Sequence, residues 1–459
     1  MQIKTFKGGV HPEEFKEISK TLPVERFLPK GEMVFPLNQH IGAPAKPVVQ
    51  KGDEVLAGQL IAEAGGFVSA NIVSSCSGKV KAIENRLVAS GAKVPCIVID
   101  NDGEFRTLPE IGAEKHSIAD LSDKEILAAI RKAGIVGMGG AGFPTDVKLM
   151  PKKPESIEYV IANGCECEPY ITCDDRLMQD HNRGVVEGLK LVLQLFPNAE
   201  GIIAIEDNKP DAIKAMEGVC ATEKQIYVQP VKTKYPQGGE RNLISVIAGR
   251  DLKVGMLPAE VGCVVCNVAT LNAIYRACHI DEPLMERYFT ITGDAVKQPR
   301  TIIARIGTAT EELIEAAGGI KEGVTLKKAL SGGPMMGMAL SSLSVPIAKN
   351  NNALTLLAED PVENAEKQMT ACIRCGRCTQ VCPIHLVPQA MATAAEKHDL
   401  DHFQKLYGMD CFQCGSCTYV CPAKRPLMQL FKEARAAVIA KQRAEAAAKA
   451  AAAAKEGGK

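Results

Sequence analysis

Eight cysteines near the carboxyl-terminal end of the chain repeat one spacing twice, C-x2-C-x2-C-x3-C followed by proline. The two runs are Cys372, Cys375, Cys378 and Cys382, then Cys411, Cys414, Cys417 and Cys421. Three thiolates at the x2 spacing bind one [4Fe-4S] cube, and the fourth, before the proline, binds the other cube. The spacing therefore predicts two clusters, whose chemistry is the transfer of single electrons.

Cross-ligation assigns each cluster to thiolates of both runs. One cluster is predicted to bind Cys372, Cys375, Cys378 and Cys421, and the other is predicted to bind Cys411, Cys414, Cys417 and Cys382. Zinc ribbons pair two C-x2-C knuckles and would leave the remaining cysteines of each run unexplained. Disulfides need an oxidising compartment, and the first residues, MQIKTFKGG, lack the apolar core of an export signal. We therefore expect a reducing compartment, most simply the bacterial cytoplasm.

Length and charge narrow the classes of function. A chain of 459 residues predicts roughly three domains. Lysine plus arginine equals aspartate plus glutamate, 54 of each, and this balance argues against nucleic-acid binding. No stretch approaches the roughly 20 consecutive apolar residues of a membrane helix. We expect a soluble or peripheral protein.

The elements that must position the clusters change in character along the chain. Residues 1–112 are rich in glycine, proline and valine, and strand-like runs at Lys46–Val49 and Glu54–Ile61 resemble the barrel-sandwich hybrid of biotinyl and lipoyl domains. No lysine stands at a hairpin tip as a carrier domain would need. A docking or structural role is therefore predicted for this β-rich domain.

The remaining regions alternate helices and strands. Residues 113–284 are predicted to form an α/β domain, with helices at Asp123–Lys132 and Asp211–Met216 and buried strands at Tyr159–Ala162 and Gly201–Ile205. Residues 285–345 read as a small α+β unit with strands in FTITGDAV and RTIIARIGT and a helix at Glu311–Ala317. A ferredoxin-type domain at 360–432 follows, and an Ala/Lys-rich tail at 433–459 favours an exposed helix.

A glycine-rich loop lies early in the α/β region. Gly137, Gly139 and Gly142 match G-x-G-x-x-G, but a helical segment precedes them, whereas a dinucleotide fingerprint follows a strand. That context excludes the standard Rossmann interpretation. Consecutive glycines still let the backbone approach a phosphate or a planar ring. A plain structural turn is the alternative.

A second loop, Ala162–Arg176, follows the predicted strand at Tyr159. Loops at the carboxyl ends of strands are where open α/β sheets bind ligands. Glu166 and Glu168 are predicted to share one side of an extended segment, because side chains alternate with a period of two. Solvated surface acids are the alternative.

Four sequence blocks carry a family resemblance: GMGGAGFPTDVKL, NGCECEPY, YPQGGERNLI and CNVATL. In order and near-spelling they resemble the flavin-binding blocks of the NADH-oxidising subunit of respiratory complex I. Together with GGVHP, PLNQHIGAP and the two cysteine runs, they make nearly the whole chain except the tail resemble the C subunits of Rnf ferredoxin:NAD oxidoreductase complexes.

The resemblance implies a set of FMN and NADH residues. The implied FMN cradle consists of Gly137, Gly139, Gly140, Gly142, Lys148, Asn163, Tyr235, Gly238, Asn267 and Thr270. Lys148 would neutralise the phosphate, and Phe143 would stack on the dinucleotide. Glu166 would lie beside the isoalloxazine, while Glu168 and Glu240 would bind the nicotinamide end or the ribose of NADH.

The chain departs from complex I in the acidic loop, where Cys165 and Cys167 replace an acid and a serine; this leaves the flavin contacts at position 165 open. Cys173 and the pair Cys263 and Cys266 lack four ligands at a recognised spacing, so packing thiols are the expectation. The segment Tyr288–Met338 resembles the soluble-ligand-binding β-grasp domain, to which we assign a spacer role.

The resemblance implies a peripheral electron-relay subunit with two [4Fe-4S] clusters, FMN and NAD(H). It would lie on the cytoplasmic face of the bacterial inner membrane. Its partners would be an iron-sulfur subunit, integral membrane subunits that carry the ion and, indirectly, ferredoxin. A cobalamin reductase of bacterial microcompartments and a non-catalytic ferredoxin-like wire are the alternatives.

Overall fold

The computed structural model describes residues 2–253 and 255–456. The chain divides into two compact units. The large unit contains Met1–Thr5, Glu13–Thr233 and Gln237–Glu359; the small unit contains Phe6–Pro12, Lys234–Pro236 and Asp360–Lys459. The chain therefore contributes three separate segments to each unit.

The amino-terminal part of the large unit is built from short strands. Its elements are α1 (Glu17–Lys20), β1 (Glu25–Phe27), β2 (Met33–Pro36), β3 (Lys46–Pro47), β4 (Glu54–Val55), β5 (Leu60–Glu63), β6 (Ile72–Val73), β7 (Gly78–Leu87) and β8 (Lys93–Asn101). Two antiparallel sheets, β2-β8-β7-β4 and β3-β5-β6, enclose a core that includes Phe35, Ile61 and Ile97. The single strand predicted over Glu54–Ile61 is wrong, because a turn at Gly58 (φ +91°) separates β4 from β5.

The middle of the large unit is a doubly wound parallel sheet. Its elements are α2 (Asp123–Lys132), α3 (Thr145–Lys148), β9 (Tyr159–Gly164), α4 (Cys173–Asp180), α5 (Asn182–Gln194), β10 (Glu200–Glu206), α6 (Pro210–Cys220), β11 (Ile226–Val231), α7 (Glu240–Ala248), β12 (Cys263–Asn267) and α8 (Val268–Ile280). All strand pairs are parallel, in the order β11-β10-β9-β12. The strand order reverses between β9 and β12, and such a switch point is where open sheets of this class bind ligands.

Alternation along the strands explains the layers. In β9, Val160 and Ala162 pack into the core that includes α5 and α8, while Ile161 packs into the core that includes α7. Both faces are therefore apolar, as a parallel sheet covered by helices requires. The helix predicted at Asp123–Lys132 is confirmed, and it begins with a capping box in which Ser122 and Glu125 bond reciprocally.

The third part of the large unit is a mixed sheet. Its elements are β13 (Glu286–Thr292), β14 (Arg300–Arg305), α9 (Thr310–Ala316), β15 (Lys328–Ser331), β16 (Met338–Ala339) and β17 (Ala353–Leu357). The six strands run in the order β1-β14-β13-β17-β15-β16. The edge strand β1 comes from the amino-terminal segment and pairs parallel to β14, so the sheet includes chain from well outside the predicted unit.

The small unit is helical and internally repeated. Its elements are α10 (Pro361–Glu366), α11 (Arg377–Gln380), α12 (Pro388–Glu396), α13 (Leu400–Lys405), α14 (Ser416–Tyr419) and α15 (Leu427–Glu456). One short helix lies within each cysteine run, and each is preceded by a left-handed glycine, Gly376 or Gly415. The amino-terminal segment joins this unit through the Gly9 N–H, which donates to the Val381 carbonyl at 2.8 Å.

The helix predicted for the tail is present as the end of α15, which starts in the small-unit core at Leu427 and reaches Glu456. Alanine and lysine dominate its last turns, and such residues favour helix without an apolar face to bury. Among the described residues, no helix combines the length and apolar character needed to span a membrane.

Close packing of α5 against α8 yields a first prediction. A Cβ at Gly188 would lie 1.9 Å from the Leu271 carbonyl oxygen, so Gly188→Ala must push α8 away. Overpacking of this kind costs about 1–3 kcal/mol, and we expect a lower midpoint of thermal unfolding. Gly218→Ala in α6, where a Cβ would meet no heavy atom within 4 Å, should not lower the midpoint. Equal midpoints for the two variants would contradict the close packing.

Candidate functional site

Two asparagines mark the carboxyl ends of neighbouring strands. Asn163 at the end of β9 and Asn267 at the end of β12 are Cα partners in the parallel register. The Asn163 Nδ2 donates to the Gly238 carbonyl at 2.9 Å, and the Asn267 Oδ1 accepts from the Ala269 N–H at 2.9 Å as the cap of α8. Three predicted site residues from distant parts of the sequence thus meet at the switch point of the sheet.

The glycine loop lies against the start of α8. Its turn is closed by the Gly137 N–H, which donates to the Phe143 carbonyl at 2.8 Å. The Met138 N–H donates to the buried Thr270 hydroxyl at 2.9 Å. A Cβ at Gly139 would lie 3.4 Å from the Asn267 Cβ. The predicted glycines, Asn267 and Thr270 therefore belong to one site.

The carbonyl groups of the glycine loop are held by other segments. The Arg287 guanidinium donates to the Met138 carbonyl at 3.2 Å, and the Asn350 amide donates to the Gly140 carbonyl at 2.8 Å. Within the described part of the chain, the N–H groups of Gly139, Gly140 and Ala141 make no hydrogen bond, and these residues are exposed. The loop therefore presents backbone donors to solvent.

Gly140 is the open point of this cradle. Its φ is +113°, and a Cβ built there would meet no heavy atom within 4 Å. Backbone N–H groups beside the amino-terminal end of a helix form a favourable site for a phosphate, and bare glycine backbone admits a planar ring. The loop thus fits the phosphate and the ring system of a flavin nucleotide.

Lys148 and Glu240, predicted for opposite ends of the ligands, are paired with each other. The Lys148 ammonium donates to the Glu240 carboxylate at 3.2 Å and to the Val265 carbonyl of β12 at 2.8 Å. Glu240 is the first residue of α7, where a carboxylate is favoured by the helix dipole. The pair is partly exposed, so both groups remain accessible at the rim of the site.

The acidic loop is not extended. The strand β9 ends at Gly164, and both Glu166 (φ +48°) and Tyr170 (φ +70°) have left-handed backbone conformations. The prediction that Glu166 and Glu168 share one side of a strand is therefore wrong. The left-handed turn at Glu166 sends the two carboxylates to different partners.

The Glu166 carboxylate lies at the amino-terminal end of α4. It accepts from the Asp174 N–H at 2.6 Å and from the Asp175 N–H at 3.4 Å, and its side chain is only 2% exposed. Burial raises its pKa to about 8, although the Lys16 ammonium at 4.0 Å opposes this shift. Glu166 therefore can hold or release a proton near neutral pH.

Two buried lysines support the acidic loop, and the sequence analysis missed both. The Lys16 ammonium donates to the carbonyls of Glu166 and Glu168, each at 2.9 Å. From the other side, the Lys209 ammonium donates to the Cys165 carbonyl at 2.6 Å and contacts Glu206 at 3.1 Å. The only sequence hint for Lys16 is its position shortly after the GGVHP motif.

The pKa shifts of the two lysines differ because their partners differ. Burial lowers the pKa of Lys16 despite the nearby carboxylate of Glu166. Burial also acts against the charge of Lys209, but the carboxylates of Glu206 and Glu166 outweigh it and raise the pKa. Lys209 is thus the firmly charged support of the loop.

The cysteines outside the two runs pack as apolar residues. Cys263 and Cys266 lie in the two different cores on opposite faces of β12, so they do not share a ligand. Burial raises the pKa of the Cys165 and Cys173 thiols well above the usual range, which disfavours reactive thiolates. Cys167 behaves in the same way, with its pKa raised by burial to about 12.

In the small unit, the two cysteine runs approach each other as cross-ligation requires. Burial raises the pKa of Cys411, Cys414 and Cys417, and a thiolate at Cys382 in the other run raises each of them further. Cys421 acts on the pKa of Cys378 in the same sense. None of these thiols belongs to a described group whose ligand atoms all lie within 4.8 Å. This wider spacing fits a cube, in which each thiolate binds a different iron.

Tyr235, predicted to line the FMN cradle, lies instead in the small unit. Its side chain is 1% exposed, and its hydroxyl donates to the Cys414 carbonyl at 2.7 Å. The physical reason is a backbone bridge between Tyr235 and Val10, which places this segment beside the second cysteine run. The predicted contact of Tyr235 with FMN is therefore wrong.

Four protein families match successive parts of the chain. They are described as the RnfC barrel sandwich hybrid domain over residues 4–104, the Nuo51 FMN-binding domain over 130–276, the SLBB domain over 288–339 and the 4Fe-4S dicluster domain over 371–425. This order confirms the predicted multidomain fold class, in which a β-rich domain, an α/β domain, a β-grasp domain and a ferredoxin-type domain follow one another.

Proteins similar over nearly the whole chain carry consistent names. The C subunit of the proton-translocating ferredoxin:NAD(+) oxidoreductase complex of Clostridium ljungdahlii is 45% identical over 93% of this chain and 92% of that protein. The C subunit of the Na(+)-translocating ferredoxin:NAD(+) oxidoreductase complex of Acetobacterium woodii is 42% identical, covering 96% and 99%. The C subunit of the ion-translocating oxidoreductase complex of Rhodobacter capsulatus is 40% identical, covering 96% and 85%.

The raised pKa of Glu166 predicts a pH-dependent stability. The unfolded chain releases this proton near the ordinary value of 4.5, whereas the folded chain keeps it up to about pH 8. Its contribution to stability therefore falls as the pH rises from about 5 to about 8 and is constant above that. The midpoint of thermal unfolding of the native chain relative to Glu166→Gln should fall across this window. A constant difference from pH 5 to 9 would contradict the shift.

Cross-ligation predicts which cysteine substitutions act on the same cluster. Cys382→Ala combined with Cys411→Ala should remove one cluster, whereas Cys382→Ala combined with Cys372→Ala should remove both. Iron and acid-labile sulfide per chain, with electron paramagnetic resonance of the reduced protein, measure the loss. Cys220→Ala in α6 is the control and should keep both clusters. Ligation within each run would reverse the two double variants.

Proposed function

Because the chain belongs to the family of C subunits of ion-translocating ferredoxin:NAD oxidoreductase complexes, we propose that it relays electrons between NAD(H) and two [4Fe-4S] clusters through FMN. The chain carries an FMN-binding domain and a 4Fe-4S dicluster domain. FMN supplies the step between hydride exchange with the nicotinamide and single-electron exchange with the clusters. The protein supplies binding, orientation and electrostatics.

The open glycine cradle at the switch point between β9 and β12 is the observation that carries this proposal. Its exposed N–H groups between Gly139 and Ala141 would bind FMN, with Asn163, Asn267 and Thr270 fixing the walls. Phe143 is half-buried beside the same loop and would stack on the dinucleotide. The remaining members of the proposed cradle are Gly137, Gly142 and Gly238.

The charged residues of the site have distinct proposed roles. Lys148 lies at the rim and would neutralise the phosphate, while Glu240, already its partner, would meet the nicotinamide end or the ribose. Glu166 would lie beside the flavin ring, where its carboxyl group, with a pKa of about 8, is suited to proton exchange near neutral pH. Water is excluded around it, since its side chain is almost wholly buried.

The chain acts as one subunit of a larger complex, as its relatives' names state for them. We propose that it is peripheral, on the cytoplasmic face of the bacterial inner membrane, and that integral membrane partners move the ion. An iron-sulfur subunit would exchange electrons with its clusters and, indirectly, with ferredoxin. The proposed domains are 1–112, 113–284, 285–345, 360–432 and the tail 433–459.

The test is anaerobic reconstitution of the full chain with FMN, iron and sulfide, followed by NADH. The native chain should bind FMN, and NADH should bleach the flavin absorption. Gly140→Ala places a methyl group in the cradle and should weaken FMN binding by at least about tenfold. Gly319→Ala is the matched control: Gly319 is also left-handed, at φ +83°, with no heavy atom within 4 Å of its Cβ position.

Only the cradle distinguishes the two glycine variants, since both carry the strain of a left-handed alanine. Gly319→Ala should therefore bind FMN as the native chain does. Equal losses in both variants would mean that strain, not occupation of the cradle, weakens binding. An intact chain that neither binds FMN nor oxidises NADH would contradict the proposed function itself.

A further inference from the structure

The Glu168 carboxylate is bound to the turn between β15 and β16. Its Oε2 accepts from the Met335 N–H at 3.0 Å, and its Oε1 accepts from the Met336 N–H at 2.7 Å. Both oxygens thus hold backbone donors of a segment more than 160 positions away in the sequence. A carboxylate in this arrangement joins the acidic loop to the mixed sheet.

The turn that receives Glu168 is itself fixed. The Gly332 N–H donates to the Ala353 carbonyl at 2.8 Å, and the Thr355 hydroxyl donates to the Gly332 carbonyl at 2.8 Å, so β17 holds the base of the turn. A Cβ at Gly333 would lie 2.3 Å from the Glu168 Oε2. The absence of a side chain at Gly333 is therefore what admits the carboxylate.

The electrostatics favour a structural bond over a vacant ligand site. Burial raises the pKa of Glu168 to about 7, and the N–H groups of Met335 and Met336 oppose that shift by stabilising the ionised form. Among the described residues, no lysine or arginine forms a salt bridge with this carboxylate. Its principal partners are the two N–H groups, and a nucleotide would have to displace them at the cost of leaving them unbonded.

The mixed sheet also holds the second loop of the site. Arg287 of β13 donates to the glycine loop at Met138, and Asn350, shortly before β17, donates to it at Gly140. Both loops of the nucleotide crevice therefore depend on the same sheet. The spacer role expected for this region does not account for these contacts.

We propose that Glu168 is a positioning residue: it latches the acidic loop onto the Gly332–Gly337 turn and so fixes the shape of the nucleotide crevice. Its effect on NADH is indirect and rests on the proposed function above. The β-grasp region then determines how tightly the acidic loop is held, and nucleotide binding depends on a glycine, Gly333, that lies outside the crevice.

The test breaks the latch from both sides in the full chain loaded with FMN. Glu168→Gln replaces one acceptor oxygen by an NH2 group that faces a backbone N–H, and Gly333→Ala places a methyl group against the carboxylate. Each variant should raise amide hydrogen exchange in residues 164–172 and weaken NADH binding by about tenfold. The double variant should be no worse than either single variant, because one contact can be lost only once. Gly218→Ala is the control and should match the native chain in both measurements.

A direct contact between Glu168 and NADH gives a different pattern. Glu168→Gln would then weaken NADH binding with unchanged exchange in the acidic loop, and Gly333→Ala would bind NADH normally. Either result, or losses that multiply in the double variant, would overturn the latch. Hydrogen exchange reports on the latch without any nucleotide. Failure of the native chain to bind FMN or NADH would therefore count against the proposed function alone, while normal exchange in Glu168→Gln would count against the latch alone.

Discussion

Two buried ammonium groups hold the acidic loop, and the candidate site depends on them. Lys16 and Lys209 lie on either side of the loop and donate to the carbonyls of Cys165, Glu166 and Glu168. Burying a charge is costly unless hydrogen bonds and opposite charges compensate for it. Here the loop carbonyls and the carboxylates of Glu166 and Glu206 provide that compensation. The loop conformation and the charges beneath it therefore stabilise each other.

This mutual dependence explains how strained backbone persists beside the crevice. Phe15, Glu166 and Tyr170 all have left-handed conformations, and the rings of Phe15 and Tyr170 stack at 4.6 Å. Such conformations cost of order 1–3 kcal/mol each and survive only where surrounding contacts over-determine them. The lysines supply those contacts from below, and the turn at Gly333 supplies them from the side. The acidic loop thus meets its ligands with a shape set by the rest of the large unit.

The sequence predicted what local patterns control. The α2 helix has its own capping box, β9 and β10 are apolar runs with clear ends, and the cysteine runs carry their spacing in the sequence itself. The resemblance brought the glycine loop, Asn163, Asn267 and Thr270 to one place, as the structure does. These features depend on neighbours in the sequence or on motifs read as blocks.

The features that the sequence did not predict depend on distant contacts. Lys16 bonds to residues 150 and 152 positions away, and no period or spacing reveals such a partner. A single left-handed residue, Glu166, reversed the expected geometry of two carboxylates. Tyr235 left the flavin site because a short bridge to Val10 assigns it to the other unit.

The composition of the small unit has a consequence for biosynthesis. Phe6–Pro12 leaves the ribosome among the first residues, yet it belongs to a unit whose remaining helices lie in the last part of the chain. Domains generally fold as they are synthesised, from the amino terminus onward. This unit must instead wait for termination, so its two cysteine runs are enclosed only in a finished polypeptide. A fragment expressed from Asp360 onward would lack two of its three segments.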